Sequence, residues 1–161
     1  MLVKWLSKLN WRRLRLKIWK KRLERELANT MSRVAWNPSI TIRLQISWAP
    51  FYNGAAWFNP TRNVATILLQ LPYDQFLTEE ELNVMRNYDL PLRSLPYFIL
   101  NHEFYHLLDT LPDTTEAELR HRVKKQQRLA QLETNYRNLS FEQEADRFAY
   151  RCYREKIGEA C

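Results

Sequence analysis

Residues 102–106 read His102-Glu103-Phe104-Tyr105-His106, two histidines four positions apart with a carboxylate beside the first. On a helix, positions i and i+4 lie one turn apart on one face, so both imidazoles project together. Each can set a nitrogen about 2.0–2.1 Å from one zinc ion. Glu103 stands next to them and can reach a water on that ion. Zinc lowers the pKa of its water toward about 7, and the carboxylate takes the proton as the water attacks a carbonyl. The chemistry is metal-assisted hydrolysis, with Glu103 as general base. The chain has three histidines, and this motif uses two of them. The plain alternative is two histidines packed on a helix.

A hydrolytic zinc site needs a third protein ligand and an open position. An extension of the motif to Gly at 109 and His at 112 fails, because these positions hold Asp109 and Pro112. Downstream, Glu142 and Asp146 lie one turn apart on the last expected helix. Glu142 suits a third ligand. Asp146 suits an acceptor for the outer N–H of a zinc histidine, fixing its tautomer. Glu144 falls on another side. A solvated acidic face is the structural alternative.

HExxH followed by ExxAD with Phe-Ala just after, here HEFYH and EQEADRFA, resembles the gluzincin-type zinc peptidases. It is similar above all to ImmA/IrrE-type metallopeptidases and minimal gluzincins. Pro96–Asn101 before the motif and Leu107-Leu108 after it also look like that group. The resemblance covers residues 95–153, with strands 40–71 matching only in order. It implies a helix, a small antiparallel sheet, an HExxH helix and a ligand-bearing helix. It implies one zinc ion held by His102, His106 and Glu142, with Glu103 as base. Phe104-Tyr105 replaces the small residues often found inside the motif, and the linker between motifs is long, polar and basic. His121 is the rival ligand, spaced after His106 as in SprT-type DNA-dependent proteases, which use three histidines. Arg122 follows it where that group has Gly.

These residues need elements to hold them. Ile40, Ile42, Leu44, Ile46 and Trp48 alternate with polar residues, a half-buried strand. Asn53-Gly54 reads as a hairpin turn, 55–58 as a short strand, Asn59-Pro60 as a second turn and 64–71 as a third strand. Thr78 caps an acidic helix over 79–88. Residues 95–108 form the HExxH helix, Leu111-Pro112-Asp113 interrupts, and a polar helix spans 115–137. Ser140 with Gln143 reads as a capping box opening the last helix. The expected fold is α+β and zincin-like, one domain over 1–161: a basic N-terminal helix (1–28), a three-stranded, mainly antiparallel sheet (39–71), and zinc-site helices (95–157).

Residues 1–25 hold ten Lys/Arg against Glu24 alone. Leu2, Trp5, Leu6, Leu9, Leu16, Trp19, Leu23 and Leu27 recur at helical spacing over 2–28, and Trp11, Leu14 and Ile18 form a narrower stripe. Three readings follow: a core helix with solvated cations, a cover over a cleft, or a contact for nucleic acid or an anionic membrane. The whole chain of 161 residues carries a net charge of +7. Two cysteines exclude a disulfide scaffold, and two glycines argue against a Gly-rich phosphate loop. Cys152 is expected to pack beside Phe148 or Tyr153; Cys161 is a tail thiol. No stretch reaches the roughly 18 apolar residues of a membrane span. The start lacks the features of a secretory signal, so a cytoplasmic protein, peripheral to a membrane at most, is expected.

The expected function is zinc-dependent hydrolysis of a peptide bond in a protein or peptide. An extended substrate would add as a strand at the sheet edge formed by 64–71. Tyr88, Tyr97, Tyr105 and Tyr136 are open alternatives for the oxyanion partner. The other class of function is a metal-bound fold without catalysis, whose basic helix binds nucleic acid or membrane.

Overall fold

The alternation after Pro38 sets one face of a strand toward a core, and the computed structural model forms it as β1, Thr41–Ala49. The structure describes residues 2–34, 36–74, 76–110, 116–132 and 136–158, without the side chains of 2–9, 116, 119, 130 and 136. The Leu111-Pro112-Asp113 interruption, the side chains of Leu2, Trp5, Leu6, Leu9 and Tyr136, and Cys161 lie outside the described residues.

Strands β2 (Asn53–Asn59) and β3 (Val64–Pro72) complete the sheet, in the order β1-β3-β2. β3 pairs antiparallel with β2 and parallel with β1, in register from Thr41↔Val64 to Ala49↔Pro72. The sheet is therefore mixed, which corrects the expectation of a mainly antiparallel one. Period-two patterning tells which face of a strand is buried and nothing about its direction. A parallel pair needs a long connection. Residues 50–63 supply it and, within it, run back as β2 on the far side of β3. Asn53-Gly54 is thus no turn but the opening of β2. The turn that joins β2 to β3 follows Asn59-Pro60 and ends at Asn63, whose φ of 52° is tolerated by a short polar side chain.

Among the described residues there are five α-helices: α1 (Leu2–Arg33), α2 (Glu79–Asn87), α3 (Leu95–Thr110), α4 (Glu116–Leu132) and α5 (Ser140–Lys156). Helix α1 runs past residue 28 because its last turns are anchored: the buried Thr30 hydroxyl donates to Asn101 Oδ1 at 2.9 Å. Thr78 and Glu81 close a reciprocal cap at the start of α2. Pro96 sits in the first turn of α3, where its missing N–H costs nothing. The box expected from Ser140 and Gln143 does not form. Buried Leu139 takes the cap position instead, its carbonyl accepting the N–H groups of Glu142 and Gln143.

Leu23 and Leu27 of α1, Ala65, Ile67 and Leu69 of β3, and Phe104 of α3 form one core with Phe148 and Cys152 of α5. Fully burying such a side chain contributes roughly 1.5–3 kcal/mol. The sheet thus backs α3, and α5 lies against α3. Cys152 packs in the cluster that holds Phe148, as expected, and burial pushes its thiol up to about 11, where it is inert. Among the described residues, no helix is long and apolar enough to cross a membrane.

Candidate metal centre

Helix α3 is apolar along most of its length and buried on nearly every side, so its few polar residues are fixed by what they face. His102 and His106 sit one turn apart on the side away from Phe104, which packs against Trp36 and Phe148. Phe104 and Tyr105 within the motif are packing residues: Tyr105 lies on Phe148 and its hydroxyl donates to Glu144 at 3.0 Å. Glu144 therefore points away from the histidines, as its helical position requires.

Glu142 and Asp146, one turn apart on α5, both reach His102. His102 Nε2 is 3.1 Å from Glu142 Oε2, and its Nδ1 is 2.8 Å from Asp146 Oδ1. His106 Nε2 lies 3.1 Å from His102 Nε2 and 3.3 Å from Glu142 Oε1. Two imidazole nitrogens and the Glu142 carboxylate thus converge, with one carboxylate oxygen toward each histidine. Ligands about 2.0–2.1 Å from a tetrahedral ion stand roughly 3.3 Å apart. The observed separations match that edge length, so the residues fit a metal ion. Among the described residues, His102, His106 and Glu142 form the group that could hold one. His121 is exposed on α4 and does not belong to it.

The electrostatics favour a cation at this point. Burial alone would depress the His102 imidazolium, but hydrogen bonds to Asp146 and Glu142 and the nearby charge of Glu103 hold its pKa at about 9. The same carboxylates attract a metal ion, which must displace that proton to bind. Burial raises the Glu103 carboxyl above the usual range, and the two histidines draw it back down. A carboxyl poised this way can both take and return a proton.

The structure adds two residues that the spacing did not reveal. Arg137, in the short 3-10 turn Tyr136–Asn138, donates to Asp146 Oδ1 and to Glu80 Oε1, each at 2.8 Å. It lies far from the HEFYH motif and just before Glu142 in sequence, in a connecting segment that no periodicity marks. Gly54 lies against Glu103. A Cβ at position 54 would meet Glu103 Oε1 and stand 2.7 Å from its Cγ and 2.8 Å from its Cδ. Only glycine lets β2 pass this close. Its place in a strand, next to an Asn that mimicked a turn, was the available signal.

The three donors open into a cleft of about 680 Å³ between β2, α2, α3 and α4. Tyr52, Gly54 and Phe58 line one wall, His102, Glu103 and Glu142 the other, and Val123 and Gln126 of α4 the rim. The edge strand at the cleft is β2. The expected substrate edge, 64–71, is β3, which is paired on both sides and offers no edge. Of the four tyrosines, Tyr88 packs on Phe98 and Tyr150, Tyr97 on Trp19, and Tyr105 on Phe148; none of these lines the cleft. Among the described residues α1 contributes nothing to the cleft lining, so Trp19 does not cover it.

No protein-family model, curated protein or solved structure matches the chain.

Proposed function

We propose that the chain is a zinc-dependent metallopeptidase of the gluzincin type that hydrolyses a peptide bond in a protein substrate. One observation carries the reading: His102, His106 and Glu142 converge within hydrogen-bonding distance of one another, with Glu103 beside them, in a cleft walled by an edge strand. Zinc, when bound, supplies a Lewis acid that polarises the scissile carbonyl and activates a water near neutral pH. The chain's own residues do the rest. Asp146 accepts the Nδ1 proton of His102 and so keeps Nε2 turned to the centre. Arg137 holds Asp146 in that position. Glu103 takes a proton from the attacking water and returns it to the leaving amine, a role its raised pKa suits. An extended substrate adds as a strand to β2, which places its backbone across the face of Glu103.

The test pairs metal analysis with turnover of an unfolded protein. His102→Ala and Glu142→Ala lose stoichiometric zinc, and His121→Ala keeps it. Glu103→Gln keeps zinc and stops cleavage. Zinc lost on His121→Ala but retained on Glu142→Ala overturns the ligand set. Zinc retained with no turnover by the unaltered protein supports instead a metal-bound fold without catalysis.

A further inference from the structure

Half of α1 is core and half is not. Leu23, Leu27 and Thr30 are buried, whereas Trp11, Leu14 and Ile18 are 60%, 48% and 43% exposed. The exposed three follow i, i+3, i+7 spacing and form one outward stripe. An apolar row of this kind rimmed by polar residues is the usual character of a contact surface. Cations border it. Residues 10–25 carry eight Lys/Arg, and among the described residues their ion pair is Lys20 with Glu24 at 3.8 Å.

The surface beside this stripe has the same character. Arg12 lies over the ring of Tyr73 at 5.4 Å, and its carbonyl accepts from Trp48 Nε1 at 3.2 Å. Arg15 lies over the Trp48 ring at 5.6 Å. Phe51, just beyond β1, and Tyr73 are themselves 47% and 38% exposed. Exposed indole, phenol and aliphatic groups interleaved with cations suit the boundary between lipid headgroups and acyl chains.

We propose that the outer face of α1 binds the surface of anionic lipid bilayers, with Trp11, Leu14 and Ile18 buried among the acyl chains and the flanking Lys/Arg at the headgroups. Phosphates of a nucleic acid would engage the cations but give Leu14 and Ile18 no apolar phase to enter. A second copy would bring Lys17, Lys21 and Arg25 against their own counterparts, which repel. The proposal is independent of the metal centre and survives its loss.

The experiment is flotation of the full chain with vesicles of phosphatidylcholine alone or with about one third phosphatidylserine. The chain floats with the anionic vesicles only. Raising salt from about 0.1 M toward 1 M, which shortens the Debye length from about 10 Å to about 3 Å, releases it. Leu14→Ser/Ile18→Ser weakens binding about tenfold or more with helix content unchanged by circular dichroism. Lys17→Glu/Lys21→Glu, equally exposed, gives a comparable loss and covers the case in which the first variant misfolds. Absence of binding to anionic vesicles overturns the proposal, and so does binding that Leu14→Ser/Ile18→Ser leaves unchanged. Tighter binding to duplex DNA, insensitive to Leu14→Ser/Ile18→Ser, would assign the face to nucleic acid. A dimer abolished by that variant, with no vesicle binding, would assign it to self-association.

Discussion

Gly54→Ala is the most discriminating perturbation of the site, because it touches neither the three metal-binding residues nor the fold's core. The added Cβ would stand 2.7 Å from Glu103 Cγ and 2.8 Å from its Cδ, well inside van der Waals contact. One partner must yield. Strand β2 is held to β3 from Asn53↔Gln70 to Asn59↔Val64, whereas the Glu103 carboxylate ends a rotatable side chain. Glu103 therefore swings out of place. Holding it off its preferred rotamer costs about 0.5–1.5 kcal/mol. Replacing glycine in an extended segment returns about 0.4–1 kcal/mol through the unfolded chain. The two nearly cancel, so the melting temperature moves by no more than about 4 °C. Catalysis responds differently. A positioned general base contributes about 10²–10⁴-fold, equivalent to roughly 3–5 kcal/mol of barrier, and most of that disappears. The assay combines thermal unfolding, zinc content and turnover of an unfolded protein substrate for the unaltered chain, Gly54→Ala and Glu103→Gln. The two variants should behave alike: zinc present, fold intact, turnover lost. Turnover of Gly54→Ala within about threefold of the unaltered chain would refute the reasoning, and so would loss of zinc together with activity.

Asp146→Asn removes the charge that His102 and Arg137 share, and should weaken metal affinity about 10–100-fold in a chelator competition without unfolding the chain. In chelator-treated protein the His102 imidazolium, with a pKa of about 9 against about 6.5 unfolded, stabilises the fold fully below pH 6.5 and loses that contribution as pH rises through 9. Denaturant melts of the metal-free chain should therefore show stability falling across that window, and a flat profile would contradict the hydrogen-bond pattern. Leu23→Ala empties a fully buried position against α3 and β3 and should cost about 2–5 kcal/mol in equilibrium unfolding. For the same reason deletion of residues 1–28 should unfold the chain rather than release activity.

The two motifs were legible because helical geometry is local. A four-residue spacing fixes which side chains share a face, and both His102/His106 and Glu142/Asp146 obey it. That the two faces would meet followed from the resemblance and from the need for a third ligand, and the 3.1 Å and 3.3 Å separations agree. Strand direction was not legible, because the alternation in 41–48 and the apolar run in 64–71 suit parallel and antiparallel pairing alike. The substrate edge was misplaced for the same reason: strand order decides which strand is an edge, and order is a non-local property. Asn53-Gly54 shows a different failure. Glycine serves turns by its freedom at positive φ and serves tight contacts by its missing Cβ. The dipeptide suggests the first, whereas the space occupied by Glu103 demands the second. The basic helix showed two apolar stripes in its sequence, and the structure sends them to opposite sides. Its cations spread around it, while Leu23 and Leu27 face the core and Leu14 and Ile18 face away.

The cleft has two walls that the chain must keep in register, and α2 joins them. Glu80 accepts from Arg137, which in turn holds Asp146 and through it His102. The next residue, Glu81, is buried and accepts the N–H of Tyr52 at 2.8 Å, at the entry to β2, while also closing the cap at Thr78. Two neighbouring carboxylates thus tie one short helix to the metal-binding wall on one side and to the edge strand on the other. Glu80 is largely exposed, so its bond to Arg137 is screened and contributes little to stability. Its consequence is geometric. The distance between Glu103 and the backbone of β2 leaves no room for a methyl group at Gly54, so a small drift of either wall would displace the carboxylate. An arrangement with that little tolerance needs a rigid connection between its walls. The buried Glu81 provides the stronger half of it, and Arg137 carries it across to the centre.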